Sequence, residues 1–459
     1  MLDTYDDAIA YLERLVASPV QAAFEAGPAR ARLLLTRAGA PQERFATLHV
    51  TGSAGKGSTA TLAATILRAA GYRTGLFTSP HLRDYTERIR VDGAPIPRAD
   101  WTRLLERLRP SIEEMFGGAM PDYALGRPAF MEVLWTLAAL YFAERAVDIA
   151  VVEVGVGGRY DPTVVNSARV GVITNVSLEH TRRLGPTVAA IAAHKAGIVK
   201  PHGILVTAAA DPSALQVIAD ECARQRATLW RVTPAEGGGA VRYAATDAGL
   251  RLVTPVHTYK DLHLGLLGRH QWANAACAVG AVDALGVRGV ARVAEGAVRR
   301  GLAETRMPGR LEWIAGDPPV LLDGAHTPDA ARALAAALPE ILPQVREQTP
   351  DQDQAPETRP VLLLGILGDK DIPAMVGALA PLAGAVIVTE PPWERRAGAA
   401  AIVAAEVQRY LPAPDVTLIT DYAMALAQAQ DVARARGVPL VVTGSLILVG
   451  ASRSLLATS

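Results

Sequence analysis

The chain has 459 residues, 50% hydrophobic and 20% charged, which exceeds what one hydrophobic core usually serves and predicts two globular domains rather than widespread disorder. Its 46 Lys plus Arg balance 46 Asp plus Glu, so no whole-protein field draws it to nucleic acid or an anionic membrane, and any anion must be captured locally. Cys222 and Cys277 fall in helix-like segments without metal-type spacing, the pattern of buried, reduced thiols in a cytoplasmic chain.

The opening MLDTYDDAIAYL is acidic and amphipathic and lacks the basic-then-apolar order of a secretory leader. From Phe45 onward, short β-rich runs alternate with Ala/Leu-rich helical stretches, the order of a parallel sheet with crossover helices. Strand ATLHV (Ala46 to Val50) enters the turn TGSAGKGST. Ala60, Ala63, Ile66, Leu67 and Ala70 then form an apolar helical face that Gly71 ends, and strand RTGLF follows. The run Val133 to Ala143, flanked by Glu132 and Glu144, is far shorter than the roughly 20 residues that cross a bilayer and reads as a core helix.

VDIAVVEVG and RVGVITNV are near-continuous apolar runs of the kind buried on both faces, and they belong in the central sheet. GLAETRMPGR interrupts the pattern, after which PVLLDGA, VLLLGILG, AVIVTE, VTLIT and PLVVTG begin a second alternation, so the domains are expected at 1–303 and 304–459. The segment Gln348 to Pro360 is polar, Pro-containing and aperiodic, and is expected to be an exposed loop.

The turn after the first strand departs from G-x-x-x-x-G-K-[ST], with Val50 in place of the first glycine and Gly57 in place of the hydroxyl residue. What remains is a glycine-dense turn that aims backbone N–H groups and a helix N-terminus at one spot, with Lys56 adding positive charge. That suits a triphosphate. A turn that only packs tightly and a dinucleotide-binding turn are the competing readings; the second lacks G-x-G-x-x-G and has no need of a lysine.

The order of HVTGSAGKGST, TSPHLRDYTERIRVDG, EVGVGGRYDPTVVN, LEH, HKAGIVK, GRHQWANA, MPGRLE, LDGAHTPDAA, LGDKD and TGSLILVG resembles the dihydrofolate synthase/folylpolyglutamate synthase branch of the Mur ligase family over nearly the whole length. The resemblance implies an α/β fold, with an N-terminal P-loop-type ATPase domain on a mainly parallel sheet and a smaller C-terminal Rossmann-like domain. It implies a reaction in which the γ-phosphate of ATP passes to a substrate carboxylate and the amine of L-glutamate displaces it, with a folate-type acid as the other substrate. Neither nucleic acid nor membrane is implied, and a monomer is expected.

Carried over by position, Lys56 and the N–H groups of Ser53, Ala54, Gly55, Gly57 and Ser58 would hold the β- and γ-phosphates, while Ser79, Glu153 and His180 would serve magnesium. Oxygen ligands suit that ion better than a histidine does. Lys195 matches the lysine that the family carries carbamylated; with Lys56 and His180 it makes the catalytic set. Asn274, Arg310 and Asp323 match ATP contacts. Glu25, Gly27, Tyr160, Asp161 and His326 fall on the substrate side.

The departures from the family pattern cluster on the acyl side. Tyr160 and Pro162 replace a leucine and an alanine, Ala129 a threonine, Thr327 an asparagine, Glu179 an aspartate and His194 a glutamate, enough to reshape a pocket. A Mur-type ligase acting on a non-folate acid therefore stands as the alternative, and an ATP-binding scaffold without catalysis as a third reading.

Overall fold

A computed structural model describes residues 2–16, 24–117, 125–346, 359–393 and 399–457. The chain forms two compact units, Met1–Gly265 with Gln271–Thr305, and Leu266–His270 with Arg306–Ser459. The division thus falls at Thr305/Arg306, and the short piece Leu266–His270 belongs with the second unit because Leu267 packs on that unit's core. Most of the aperiodic stretch Gln348 to Pro360 lies outside the described residues.

The first unit is built on strands β1 (Ala46–Thr51), β2 (Thr74–Phe77), β3 (Ile89–Val91), β4 (Ala94–Pro95), β5 (Ile149–Glu153), β6 (Val170–Ile173), β7 (Ile204–Thr207), β8 (Thr228–Pro234), β9 (Val241–Thr246), β10 (Gly249–Val253) and β11 (Thr258–Leu262). They lie side by side in the order β11-β10-β9-β8-β7-β6-β1-β5-β2-β3-β4. Pairing is parallel from β2 through β5, β1, β6, β7 and β8 to β9, and antiparallel at the two ends. Every residue of β5, β6 and β7 is buried, as expected of strands covered on both faces, whereas β10 alternates buried with exposed.

Helices Tyr5–Val16, Gly27–Arg37, Arg98–Gly117 and Phe130–Glu144 pack with Ala150 and Val152 of β5 around Trp101, Trp135, Phe77 and Phe142. The apolar run read as a core helix is Phe130–Glu144, almost wholly buried. Helix Lys56–Ala69 meets helix Glu295–Glu304 at Gly301, where a Cβ would stand 2.5 Å from the Ile66 Cα; only glycine permits that approach. No described helix is long and apolar enough to cross a membrane.

The second unit carries β12 (Glu312–Ile314), β13 (Val320–Leu322), β14 (Val361–Leu364), β15 (Ala385–Val388), β16 (Val416–Leu418) and β17 (Leu440–Thr443), in the order β12-β13-β17-β14-β15-β16. All neighbours are parallel except β12 and β13. Helices Pro328–Arg346, Ile372–Leu379 and Ala400–Val407 bury one side of this sheet in a core of its own. The five apolar runs of the second alternation are β13 to β17.

Candidate active site

β1 lies between β5 and β6, so the glycine turn that leaves it is flanked by the carboxyl ends of both neighbours, where open α/β sheets hold their ligands. On the β5 side Glu153 pairs with Val50; on the β6 side Thr174 and Asn175 follow Ile173. Gly52 has φ +151° and Gly55 φ +77°, backbone that L side chains rarely adopt. A Cβ on Gly52 would sit 1.8 Å from Thr174 Oγ1, and one on Gly55 2.2 Å from Asn274 Oδ1. Asn274, distant in sequence, therefore lies against the turn as the sequence reading places it. Helix Lys56–Ala69 starts from Gly55 without a side-chain cap, and its N-terminal turn is the kind of helix end that holds an anion.

Two of the expected phosphate donors are already engaged. Asn175 Oδ1 accepts from the N–H of Ser53 at 3.0 Å and from that of Ala54 at 2.8 Å. These bonds fix Ser53 and Ala54 of the turn to the loop after β6, beside Gly55, Lys56, Gly57 and Ser58 at the helix start. Lys56 Nζ donates back to Gly52 O at 2.7 Å and Ser53 O at 3.3 Å, so its ammonium is held over the turn.

Glu153 is 3% exposed and accepts from the Ser79 N–H at 3.0 Å, which brings two of the expected metal positions together. Burial lowers the pKa of the nearby Arg88 guanidinium, with Tyr85 and Glu153 opposing. A buried strand-end carboxylate is costly unless cations face it, and Arg88 is one. The described residues contain no group of three or more His, Cys, Asp and Glu arranged to hold a metal, so Glu153 and His180 do not form such a cluster.

Lys195 is 1% exposed and its Nζ donates to Glu179 Oε1 at 2.5 Å. Burial pushes this ammonium down to about 8, Glu179 opposes the change, and Lys56 adds to it. His180 stands at the start of a short helix with φ +45°; burial lowers its pKa, Glu179 opposes, and Lys56 and Lys195 lower it further. Lys56, Glu179, His180 and Lys195 thus share one electrostatic neighbourhood beside the glycine turn. The Glu179 to Lys195 pair is a through-space contact that the sequence gives no means of reading.

On the acyl side three rings meet: Tyr160 lies 5.9 Å from Phe24 and 5.5 Å from His194, and Phe24 lies 6.4 Å from His194. Two departures from the family pattern, Tyr160 and His194, are therefore a single packing change, with Phe24 completing the cluster. Glu25 is exposed and acts electrostatically on His194. Gly27 allows close packing, since a Cβ there would stand 2.7 Å from Tyr160 O.

Asp161 is engaged within its own loop. It is 3% exposed, and its carboxylate accepts from the N–H groups of Gly155, Val156 and Thr163 and from Thr163 Oγ1 at 3.0, 3.2, 3.0 and 2.5 Å. Four donors fill its acceptor positions, so it braces the loop that presents Tyr160. His49 of β1, held neutral by burial with a pKa near about 3, bonds Thr163 Oγ1 at 2.8 Å from behind.

In the second unit, Arg310, Asp323 and His326 come together at the carboxyl end of β13. Arg310 donates to Gly324 O at 3.2 Å and His326 Nδ1 to the same oxygen at 2.8 Å. Asp323 accepts from the N–H of Leu311 at 3.0 Å and of Ala325 at 2.9 Å; burial raises its pKa, and Arg310 and these two amides oppose.

Comparison with known proteins places the chain among Mur-type ligases. Residues 129–282 match the Mur ligase middle domain, and residues 309–446 match the Mur ligase, glutamate ligase domain. The dihydrofolate synthase/folylpolyglutamate synthase of Bacillus subtilis is 36% identical over 341 residues, 74% of this chain and 77% of that protein. The protein of the same name from Mycobacterium tuberculosis is 34% identical over 93% of this chain and 89% of its own. A crystal structure of Mycobacterium tuberculosis folylpolyglutamate synthase complexed with ADP superposes with a TM-score of 0.83 at 30% identity, covering 98% of this chain and 99% of that one.

Proposed function

The chain belongs to the dihydrofolate synthase/folylpolyglutamate synthase family of Mur-type ligases, and from that premise we propose that it joins L-glutamate to a folate-type carboxylate at the expense of ATP. A carboxylate is inert to amines at neutral pH, and transfer of the γ-phosphate to it supplies a leaving group. Glutamate's amine then attacks the acyl phosphate, an amide forms, and ADP and phosphate leave. One observation carries this reading: Lys56, the amides from Gly55 to Ser58, Glu153 and Lys195 converge at the carboxyl ends of β1, β5 and β6.

In this reading Lys56 and the first-turn amides hold the terminal phosphates, and Asn274, Arg310 and Asp323 contact the nucleotide. Magnesium fits at Glu153 and Ser79, a hard carboxylate oxygen and a hydroxyl residue joined by one hydrogen bond, while His180 stands with Glu179, Lys56 and Lys195 beside the glycine turn. Bound there, the ion would draw charge from the phosphates. Burial pulls the pKa of Lys195 down to about 8, which favours its neutral amine, the form that carbamylation needs. The first unit, Met1–Gly265 with Gln271–Thr305, supplies ATP binding, and the second, Leu266–His270 with Arg306–Ser459, is the smaller ligase domain. The protein works as a cytoplasmic monomer.

A second reading, the same chemistry on a non-folate acid, is favoured by the Phe24, Tyr160 and His194 cluster at positions where the family carries leucine and glutamate. Phosphate release from purified protein with ATP, magnesium and glutamate decides between them. Turnover is expected with dihydropteroate or tetrahydrofolate and absent without an acid; no turnover with either folate acid would leave the second reading standing and remove the first.

A further inference from the structure

The far end of the large sheet carries a feature that the reaction does not use. Strands β8 to β11 bury one face through Trp230, Val232, Val241, Leu250, Leu252 and Tyr259, and Val241 packs against Gly280 of helix His270–Val287. The opposite face is exposed and basic. Arg231 of β8, Arg242 of β9 and Arg251 of β10 stand on it, and the irregularity in β11 sets Lys260 and the carboxylate of Asp261, both exposed, opposite Arg251.

The register makes the geometry definite. Arg242 pairs with Val253 and Arg251 with Ala244, so the two residues are diagonal neighbours on one face, their Cα atoms roughly 7 to 8 Å apart. Among the described residues none of these four basic side chains has a hydrogen bond or ion pair, whereas many arginines of the same unit, Arg30, Arg37, Arg98, Arg103 and Arg109 among them, pair with carboxylates. Between Arg242 and Arg251 lies a hollow of about 230 Å³ whose other walls are Ala235, Tyr243, Ala244 and Val253. Two planar cations over an apolar floor fit a short chain that bears carboxylates on methylene arms, since guanidinium pairs with carboxylate through two parallel hydrogen bonds.

We propose that this hollow is a second binding site, for glutamyl carboxylates, remote from the glycine turn. Its ligand class rests on the ligase reading, whose substrate and product both carry such groups: free L-glutamate has two carboxylates, and a γ-linked glutamyl tail has one per residue and two at its end. The shared chemistry is a pair of carboxylates separated by methylenes. The hollow lies four to five strands from β1 in the sheet, about 19 to 24 Å at 4.8 Å per strand, so a ligand there leaves the glycine turn open.

Equilibrium dialysis of the full chain against labelled tri-γ-glutamate lacking any pteridine tests this, with L-glutamate and inorganic phosphate as competitors. Tri-γ-glutamate is expected to bind, and the Arg242→Ala/Arg251→Ala variant to bind it at least about tenfold more weakly with an unchanged melting temperature. Competition by L-glutamate as effective as by the trimer identifies a single dicarboxylate as the ligand and supports the site; weaker competition identifies the tail. Phosphate competing as well as either overturns it, because the face is then an unselective anion trap. Equal affinity in the double variant, or loss of binding in Lys56→Ala instead, also overturns it. Failure of the ligase reading shows separately, as absent phosphate release, and leaves the dialysis result intact.

Discussion

Two lysines of the first unit are buried as ammonium groups at a measurable cost. Lys195 pairs with Glu179, Lys200 Nζ donates to Val164 O at 2.5 Å, and burial pushes both down to about 8, well below the ordinary lysine value. The sign follows from proton counting. Below about pH 8 both the folded and the unfolded chain carry these protons, and the folded state bears the full penalty. As pH rises towards 10 the folded chain has released them while the unfolded chain has not, so unfolding takes up protons and stability rises. One pKa unit corresponds to about 1.4 kcal/mol, which puts the gain at up to about 3 kcal/mol per lysine. Urea unfolding at pH 7.5 and pH 10 is expected to show this rise, and the Lys195→Met/Lys200→Met protein to lack it. Burial pushes the Cys222 and Cys277 thiols up to about 11 and about 12, which pulls stability the other way over this window, so the comparison decides: equal pH slopes in the wild type and the variant would mean the ammoniums are better solvated than their burial implies.

At the scale of elements, the junction of β1 with helix Lys56–Ala69 depends on two glycines whose backbone and surroundings both refuse a side chain. In Gly52→Ala the new methyl meets Thr174 Oγ1 at 1.8 Å and the φ of +151° is strained besides, so the turn must move. A loss of about 1 to 3 kcal/mol and of nearly all phosphate release is expected. Adding Thr174→Ala should return part of the stability, because the nearest clash goes while the Thr174 backbone N at 3.1 Å remains. Gly39→Ala is the control for backbone strain alone: its φ is +87° but nothing lies within 4 Å. This junction was legible because strand, glycine and helix signals are local and consecutive. The contacts that finish it were not. Asn175 claims two of the turn's amides from across a strand pair, and Asp161 spends its carboxylate on its own loop, facts that only the folded register creates. The ribbon β9 to β11 also went unread, since strands such as β10 that bury only alternate residues signal more weakly than the continuous runs of β5 and β6.

Across the whole molecule, two alternating patterns separated by GLAETRMPGR correspond to two units with separate cores, and what the pattern could not reveal is that Leu266–His270 crosses over to the second. Composition alone has no term for such an exchange, because a five-residue segment joins whichever unit its side chains reach, here through Leu267 on the second core and Arg269 paired with Glu340. The functional assignment likewise draws residues from both units, and hydrogen exchange read by mass spectrometry can test each contribution without assuming the other. ADP and magnesium at 100 times the dissociation constant stabilise a site by about 2.7 kcal/mol, which slows amides that open only when the site is empty by about a hundredfold. Peptides spanning Gly55 to Ser58 and Asn274 should slow to that degree, and the Lys56→Ala chain should show no slowing. In the second unit the amides of Leu311 and Ala325, held by Asp323, report on Arg310 and Asp323 directly. Slowing there too would support those residues as nucleotide contacts; slowing confined to the first unit would leave Asp323 as a brace for its own turn and take Arg310 out of the phosphate chemistry.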